Sequence, residues 1–578
     1  MKQHDVAVLF EHIADLLEFR GENPFRIRAY RKAAQSLGNL TEDLDQLHSE
    51  DRLLEIPGIG KDLAAKIQEY LATGAIREIE ELKRAVPPGI FSMLEIPGIG
   101  PKTAKMVWEH LRIGSVDELE AAARAHKLCA LPGVREKKEQ HILEGIVTDQ
   151  KGLARRHLGY ALPLAARVIE LLRGLPGVRR AEMAGSLRRM RETVGDLDVL
   201  VTAHKPAAVM AAFIASPFCA KVLASGDTKS SITTADGFQV DLRVVKPSCF
   251  GAALVYFTGS KEHNIRLREM AVRKGLKISE YGVFNARTGR CIASRKEEDV
   301  YAALGLPWMP PEIREDSGEF EFALKGRLPH LVQIADVRGD FHVHTNWSDG
   351  VDSLDAVAEA GKRRGYEYLV ITDHSPSLQV ARGLTEERKR EQIVCVRAIN
   401  ARYRSDYRVL IGAEVDILSD GRMDYPDEVL RQLDFVIGSI HSGFKQPEAV
   451  ITDRIIRAME NPYVSMIAHP TGRLLGRREP YAVNLDRIFQ HAAKTETALE
   501  INAFPSRLDL NDRAARRAQR HGARLAVSTD SHRIAHLDHM VIGVGLARRA
   551  WLEPRHLLNC LTREELCSWV QRKRHRHA

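Results

Sequence analysis

At 578 residues the chain is too long for one hydrophobic core, so several domains are expected. Its 44% hydrophobic and 28% charged composition excludes a fibrous or disordered chain. The formal charge of +8 favours an anionic partner, nucleic acid foremost, but spread over this length it decides little. Seven scattered cysteines, odd in number and without a CxxC pair, exclude a disulfide framework and a thiolate zinc module. The N-terminal stretch carries acidic residues and no small-residue cleavage site, so no signal peptide is expected. PAAVMAAFIASPFCA is too short to span a bilayer, and a reducing cytoplasm is the simplest location.

Residues 1–150 show helical periodicity broken by Gly/Pro turns and contain a repeat. LEIPGIGKDLAAKI (54–67) recurs as LEIPGIGPKTAKMV (94–107), with a weaker third copy, CALPGVREKKEQHIL, at 129–143. In PGIG the glycines allow a tight turn and leave backbone N–H groups uncovered where a helix begins, a geometry that suits a phosphate oxygen. Lys61 and Lys102 add charge at the same places. Two near-identical copies favour phosphate binding over a mere connector, and that binding is expected to be salt-sensitive and indifferent to base sequence. The copies resemble helix-hairpin-helix DNA-binding motifs, with Gly58, Gly60, Lys61, Gly98, Gly100 and Lys102 as the expected DNA contacts.

Strand signals begin near 181. GSLRRMRETVGDLDVLV (185–201) puts Asp196 and Asp198 at i and i+2, on one face of a strand. GFQVDLRVV (237–245) places Asp241 on a second strand. Three clustered carboxylates repel one another unless divalent cations sit among them, and Mg²⁺ bridges such oxygens to substrate phosphates. Two ions would steady the attacking and leaving oxygens of a displacement at phosphorus. The upstream Gly-Ser and Arg-Arg pairs would supply donors for a triphosphate.

Residues 307–337 are rich in proline and acid, with poor periodicity, and read as a linker. From 338 onward, short apolar runs alternate with amphipathic helices, the pattern of repeated βα units. Seven strands are expected, with His342, His344, His374, Glu414, His441, His469, Asp530 and His532 at or just after their ends and Asp349 in the first following turn. A TIM-like barrel builds its site from such strand ends. Imidazole and carboxylate without thiolate suit Mn²⁺, Zn²⁺ or Fe²⁺, and spacing does not choose among them.

GSxRR…GDxD followed by VDxR resembles the palm of family X DNA polymerases. YFTGSKEHNIRLREMA (256–271) and GLKISEYGVF (275–284) resemble that family's nucleotide-selecting subdomain, and FRIRAYRKAA and LATGAIREIEEL its N-terminal domain. The C-terminal set resembles the PHP (polymerase and histidinol phosphatase) domain at all nine ligand positions, and ARGLTEER and EINAFPSRLDLND resemble the polymerase-fused branch of that group. The resemblance implies a multidomain chain: an all-α helix-hairpin-helix region, an α/β nucleotidyltransferase palm with a small α+β subdomain, and a distorted (β/α)7 TIM-like PHP barrel. The expected boundaries are 1–85, 86–150, 151–248, 249–310, a linker at 311–337, and 338–578.

By the same resemblance, Asp196, Asp198 and Asp241 would hold two Mg²⁺ ions, and Asp241 would help deprotonate a primer 3′-hydroxyl. Gly185, Ser186, Arg189 and Gly195 would hold the triphosphate. Tyr256, Phe257 and Gly259 would line the sugar pocket, with Asn264 at the base and Arg268 at the template strand. Val194 departs from relatives that place a hydroxyl there. Lys66 matches a Schiff-base lyase lysine, a role that needs a neutral amine, whereas a hairpin lysine is usually a solvated phosphate contact. In the barrel, up to three Mn²⁺ or Zn²⁺ ions would be held: one by His342, His344, Glu414 and Asp530, a second by Glu414, His441 and His469, a third by Asp349, His374 and His532. Arg382 and Arg507 would meet DNA phosphates or stand as ordinary surface arginines. The implied activity is gap-filling synthesis in base excision or break repair. A PHP 3′→5′ exonuclease or 3′-end processing function goes with it, and AP-site cleavage in some members. Gapped or primer-template DNA and dNTPs are the expected partners of a monomeric, cytoplasmic, nucleoid-associated enzyme. The competing readings are a nuclease or phosphatase with slight synthesis, and a non-catalytic DNA-end scaffold.

Overall fold

The structure is a computed structural model that describes residues 2–577 apart from 39–43, 57, 88, 95, 97–98, 133, 137, 141, 144–145, 147–154 and 404–405. The chain divides into two compact units, Met1–Ala154 and Arg155–Ala578.

Among its described residues the first unit is all helical. Helices Lys2–Arg20, Pro24–Gly38, Lys61–Thr73, Arg77–Arg84, Pro101–Leu111 and Val116–Arg124 surround one apolar core. That core is continuous across the expected division at residue 85, since Ile79 and Leu82 share it with Ile90 and Met93. The sequence repeat becomes a repeat of hydrogen bonds. Ile59 N–H donates to the Ile56 carbonyl and Ala64 N–H to Gly60, and the same bonds recur from Ile99 to Ile96 and Ala104 to Gly100. Ile59 and Ile99 are buried and anchor the turns, while Gly60 and Gly100 remain exposed. In the third copy Val134 N–H donates to the Leu131 carbonyl in the same way, and residues 133, 137 and 141 lie outside the described residues.

The second unit begins with a five-stranded sheet in the order Val178–Met183, Asp196–Ala203, Gln239–Val244, Lys229–Thr233, Lys221–Ser225. Only the Asp196–Ala203 and Gln239–Val244 pair is parallel, and its register sets Asp198 beside Asp241. Strand alternation sends Leu197, Val199 and Val201 into a core shared with helices Leu158–Arg173 and Pro206–Ile214. On the other face, Leu200 packs on helix Phe250–Thr258. A subdomain of helices Phe250–Thr258, Lys261–Arg273 and Glu297–Ala303 with a three-stranded antiparallel sheet follows.

The segment expected to be a linker is closely packed. Phe320 and Ala323 enter the subdomain's core. The fully buried Arg314 grips Glu297 with both terminal nitrogens, at 2.8 and 3.2 Å, and Glu319 bonds the buried ring of His263 at 2.8 Å. Its order comes from buried ion pairs and isolated aromatics, which leave no periodic stripe.

The C-terminal domain is a seven-stranded parallel sheet in sequential order, from Gly339–Val343 to Leu525–Ser528. It curls until its outer strands nearly meet. His344 N–H donates to the Ser531 carbonyl at 2.7 Å and Ser531 N–H to His342 at 3.1 Å. Near the opposite end, the buried Asn559 side chain bridges the gap, donating to the Gly339 and Val527 carbonyls and accepting from Val527 N–H. Helix Arg563–His577 closes the floor, with Leu566 and Trp569 against Phe341, Tyr368 and Phe435 inside. The register slips between Asp340 and Val343. Such an irregularity re-aims side chains, and here Phe341 joins the floor cluster while His342 and His344 reach the open end.

Candidate functional site

At the open end of the barrel the nine expected side chains converge. Glu414, from the strand Arg408–Asp416, is the hub. Its Oε2 lies 3.1 Å from His342 Nε2, 3.5 Å from His344 Nε2 and 3.0 Å from His374 Nδ1. Its Oε1 lies 3.4 Å from His441 Nε2 and 3.0 Å from His469 Nε2. Asp530 Oδ1 approaches His342 and His344 at 3.6 and 3.5 Å, and Asp349 Oδ2 approaches His374 and His532 at 3.5 and 3.3 Å. Three overlapping groups, His344–Asp349–His374–His532, His342–His344–Asp530 and His374–Glu414–His441, have donor atoms close enough to share an ion.

The donors fit divalent cations. Both ring nitrogens of His344, with His342 Nε2, His374 Nδ1 and His469 Nδ1, are buried without a hydrogen-bond partner, a costly arrangement for polar atoms unless they are ligands. Burial alone would raise the Glu414 carboxyl, but His342, His374 and His441 hold it well below its usual range. Burial, then the charges of His532 and His374, lowers His344 to about 4, leaving a neutral imidazole as a ligand should be.

Around these side chains stand two carboxylates that spacing did not single out. Glu500 accepts from His342 Nδ1 at 2.8 Å, from His469 N–H at 2.6 Å and from Ser528 at 2.6 Å. Asp416 bonds His441 Nδ1 at 2.5 Å. Such partners fix which nitrogen faces inward. Asp416 stands at i+2 from Glu414, and Glu500 interrupts the apolar run ALEIN; both signals are present in the sequence. Arg507 pairs through its Nε with Asp530 at 3.0 Å.

In the middle sheet Asp196 and Asp198 share one strand, and the register sets Asp198 beside Asp241 on the next. Burial, then Asp196 and Asp241, pushes the Asp198 carboxyl up to about 7, a crowding of negative charge that a divalent cation would relieve. Gly185 has φ +61°, and a Cβ there would stand 2.4 Å from Asp198 Oδ2, so glycine is required at this approach.

The comparisons follow this division of the chain. Helix-hairpin-helix families match residues 1–76 and 91–147, the DNA polymerase beta thumb family matches 253–315, and the PHP domain family matches 340–503. The DNA polymerase/3′-5′ exonuclease PolX of Bacillus subtilis is 40% identical over 574 residues, which is 99% of this chain and all of that protein. The chain belongs to the PHP-fused family X DNA polymerases. DNA polymerase lambda of Rattus norvegicus is 26% identical over 53% of this chain and 56% of its own. A probable phosphatase of Acetivibrio thermocellus is 28% identical over 33% of this chain and 78% of its own.

Within this family X polymerase, Ser186 and Arg189 line a cavity beside the palm. Arg189 is already engaged, with Nε 3.1 Å from Glu315 and a second nitrogen on the Thr258 carbonyl. Its neighbour Arg188 forms a bidentate pair with thumb Glu297 at 2.8 and 2.9 Å. Gly195 opens the strand carrying the aspartates, and Val194 is fully buried in the palm core, which accounts for an apolar residue there. Tyr256 packs edge-on to Phe257, Gly259 has φ +70°, Asn264 donates to the Tyr256 carbonyl at 2.7 Å, and Arg268 donates to the Asn264 carbonyl at 3.2 Å.

In the hairpin unit, Gly60 and Gly100 cap their helices without any side-chain bond, and a Cβ at either would meet nothing within 4 Å. Gly58 takes a positive φ of 85°, and Lys61 and Lys102 are exposed. Gly98 lies outside the described residues. Lys66 is ion-paired with Glu78, which also accepts from Tyr30 at 2.6 Å. Burial raises that carboxyl, yet the bonds from Lys66 and Tyr30 bring it below its usual range. Among the described residues no helix is long and apolar enough to cross a membrane.

Proposed function

We propose that the protein fills short gaps during base excision or break repair and processes 3′ ends at its barrel. The observation that carries this is one chain that holds a palm carboxylate trio, a barrel cluster of imidazoles and carboxylates, and two hairpin turns whose glycines leave their helix ends without a side-chain cap. Divalent ions at the two centres would neutralise the charge that develops on phosphorus oxygens.

In the palm, Asp196, Asp198 and Asp241 would hold two Mg²⁺ ions, and Asp241 would take part in removing the primer hydroxyl's proton. Gly185, Ser186, Arg189 and Gly195 would receive the triphosphate. Tyr256, Phe257, Gly259, Asn264 and Arg268 would position sugar, base and template. In the barrel, Mn²⁺ or Zn²⁺ would occupy three places. Glu414 with His342, His344 and Asp530 would hold the first, Glu414 with His441 and His469 the second, and Asp349, His374 and His532 the third. Backbone N–H groups at Gly60 and Gly100, with Lys61 and Lys102, would grip the phosphates of gapped DNA. The enzyme would work as a monomer at the nucleoid. Lys66 is held by Glu78 rather than free to attack a sugar aldehyde, which argues against lyase chemistry there.

The test is a gapped duplex with Mg²⁺ or Mn²⁺. Asp198→Ala should lose extension and keep 3′ degradation, and His344→Ala should do the reverse. Unchanged extension in Asp198→Ala would sink the palm assignment.

A further inference from the structure

Palm, thumb and barrel enclose a cavity of about 580 Å³ whose wall includes Ser186, Arg189, Arg513, Arg516 and Trp551. Seven basic and four acidic side chains line it, and three of the four acids are already paired. Glu315 serves Arg189, Arg191 and Arg549, Asp512 serves Arg549, and Glu312 serves Arg548. On the palm side, Arg155 is tied to Thr193.

Arg513 and Arg516 stand one turn apart on the barrel helix Asp512–Arg520, and neither has a carboxylate partner among the described residues. Arg516 is nevertheless held in place. Its guanidinium lies 3.9 Å from the centre of the buried Trp551 ring and makes long bonds of 3.3 Å to the Ser317 carbonyl and hydroxyl. Burial, then the charge of Arg520, draws its pKa down to about 10, as befits a cation short of counter-charge. A planar guanidinium fixed on an aromatic face is pre-organised for phosphate oxygens.

We propose that Arg516, with Arg513 beside it, binds the outer phosphates of the incoming nucleoside triphosphate, so that the nuclease barrel supplies part of the polymerase's nucleotide site. This rests on Ser186 and Arg189 being triphosphate ligands. With Arg189 already engaged by Glu315, a polyphosphate in the cavity finds unpaired guanidiniums on the barrel side.

The experiment uses the full-length protein on a one-nucleotide gap, with Arg516→Ala, Arg516→Gln and Arg189→Ala. Four quantities are read: KM and kcat for the nucleotide, inhibition by pyrophosphate, DNA affinity by anisotropy, and 3′ degradation. Loss of one charge-assisted contact should raise KM, and weaken pyrophosphate inhibition, roughly tenfold or more. DNA affinity, kcat and 3′ degradation should stay within about twofold, the scatter tolerated for a change away from those sites. If Arg516→Ala loses 3′ degradation through misfolding, Arg516→Gln decides alone. An unchanged KM in the Arg516 variants, with a raised one in Arg189→Ala, overturns the proposal by itself. Weakened DNA affinity with unchanged KM also overturns it, giving the cavity to DNA phosphates. An unchanged KM in all three removes the triphosphate reading of the palm, and this inference with it.

Discussion

Gly185→Ala probes the palm without touching a carboxylate. The new Cβ would stand 2.4 Å from Asp198 Oδ2, whereas ordinary contacts begin near 3.4 Å, so the carboxylate or the turn must yield by about 1 Å. The backbone adds to the conflict, since φ is +61° and a left-handed residue other than glycine costs about 1–2 kcal/mol. Misplacement of a reacting group by about 1 Å can cost about a hundredfold in rate. Gap filling by Gly185→Ala should therefore fall about a hundredfold, measured as single-nucleotide extension on a gapped duplex with Mg²⁺. The same preparation should degrade a 3′ end at the wild-type rate, because no barrel ligand is disturbed. Extension within threefold of wild type would refute the placement of Asp198 against this turn, or its importance to synthesis.

Glu500→Gln should weaken metal binding at the barrel by roughly 10- to 100-fold, as loss of a ligand-orienting carboxylate does; a Mn²⁺ titration of 3′ degradation, with extension as the control, checks it. Glu297→Gln leaves Arg188 and Arg314 short of a buried counter-charge and should cost roughly 3–5 kcal/mol in a denaturant melt. Burial raises the Glu297 carboxyl, but the two arginines depress it well below its ordinary value. Its contribution is therefore complete above about pH 4.5 and lost as pH falls below that, an acid-side slope that Glu297→Gln should flatten. Removing divalent ions with a chelator should lower the melting temperature, since ions at a hundredfold excess over Kd stabilise by about 2.7 kcal/mol; restored Mn²⁺ should reverse the change.

The barrel cluster was legible because all its members but Asp349 stand at or just after strand ends, and the hairpins because they repeat. Asp196, Asp198 and Asp241 were legible because i, i+2 spacing on a strand selects one face. Residues that act through others were not. Glu500 and Asp416 carry only an acid in an apolar run and an i+2 spacing, signals that gain meaning once the fold brings His342 and His441 to them. The engagement of Arg189 depends on Glu315, 126 residues away, and could not be read locally. Poor periodicity in 311–337 suggested a linker, yet Arg314 and Glu319 are fully buried there in ion pairs that leave no periodic trace. Barrel closure by Asn559 was hidden for the same reason: one amide, far along the chain, joins the first strand to the last.

Leu172, Val199 and Phe213 of the palm belong to the same apolar cluster as Val343, Leu369 and Val527 of the barrel. Gly159 lies so close to Pro505 that a Cβ would stand 2.2 Å from that ring, and Glu192 reaches Arg473 at 2.7 Å. The two activities are thus not beads on a string. A polymerase cut free before residue 338 would expose an oily face and tend to aggregate, and residues 155–578 should unfold in one cooperative step. Silencing the nuclease in a cell therefore calls for a point substitution at a ligand, because truncation would remove the floor on which the polymerase stands.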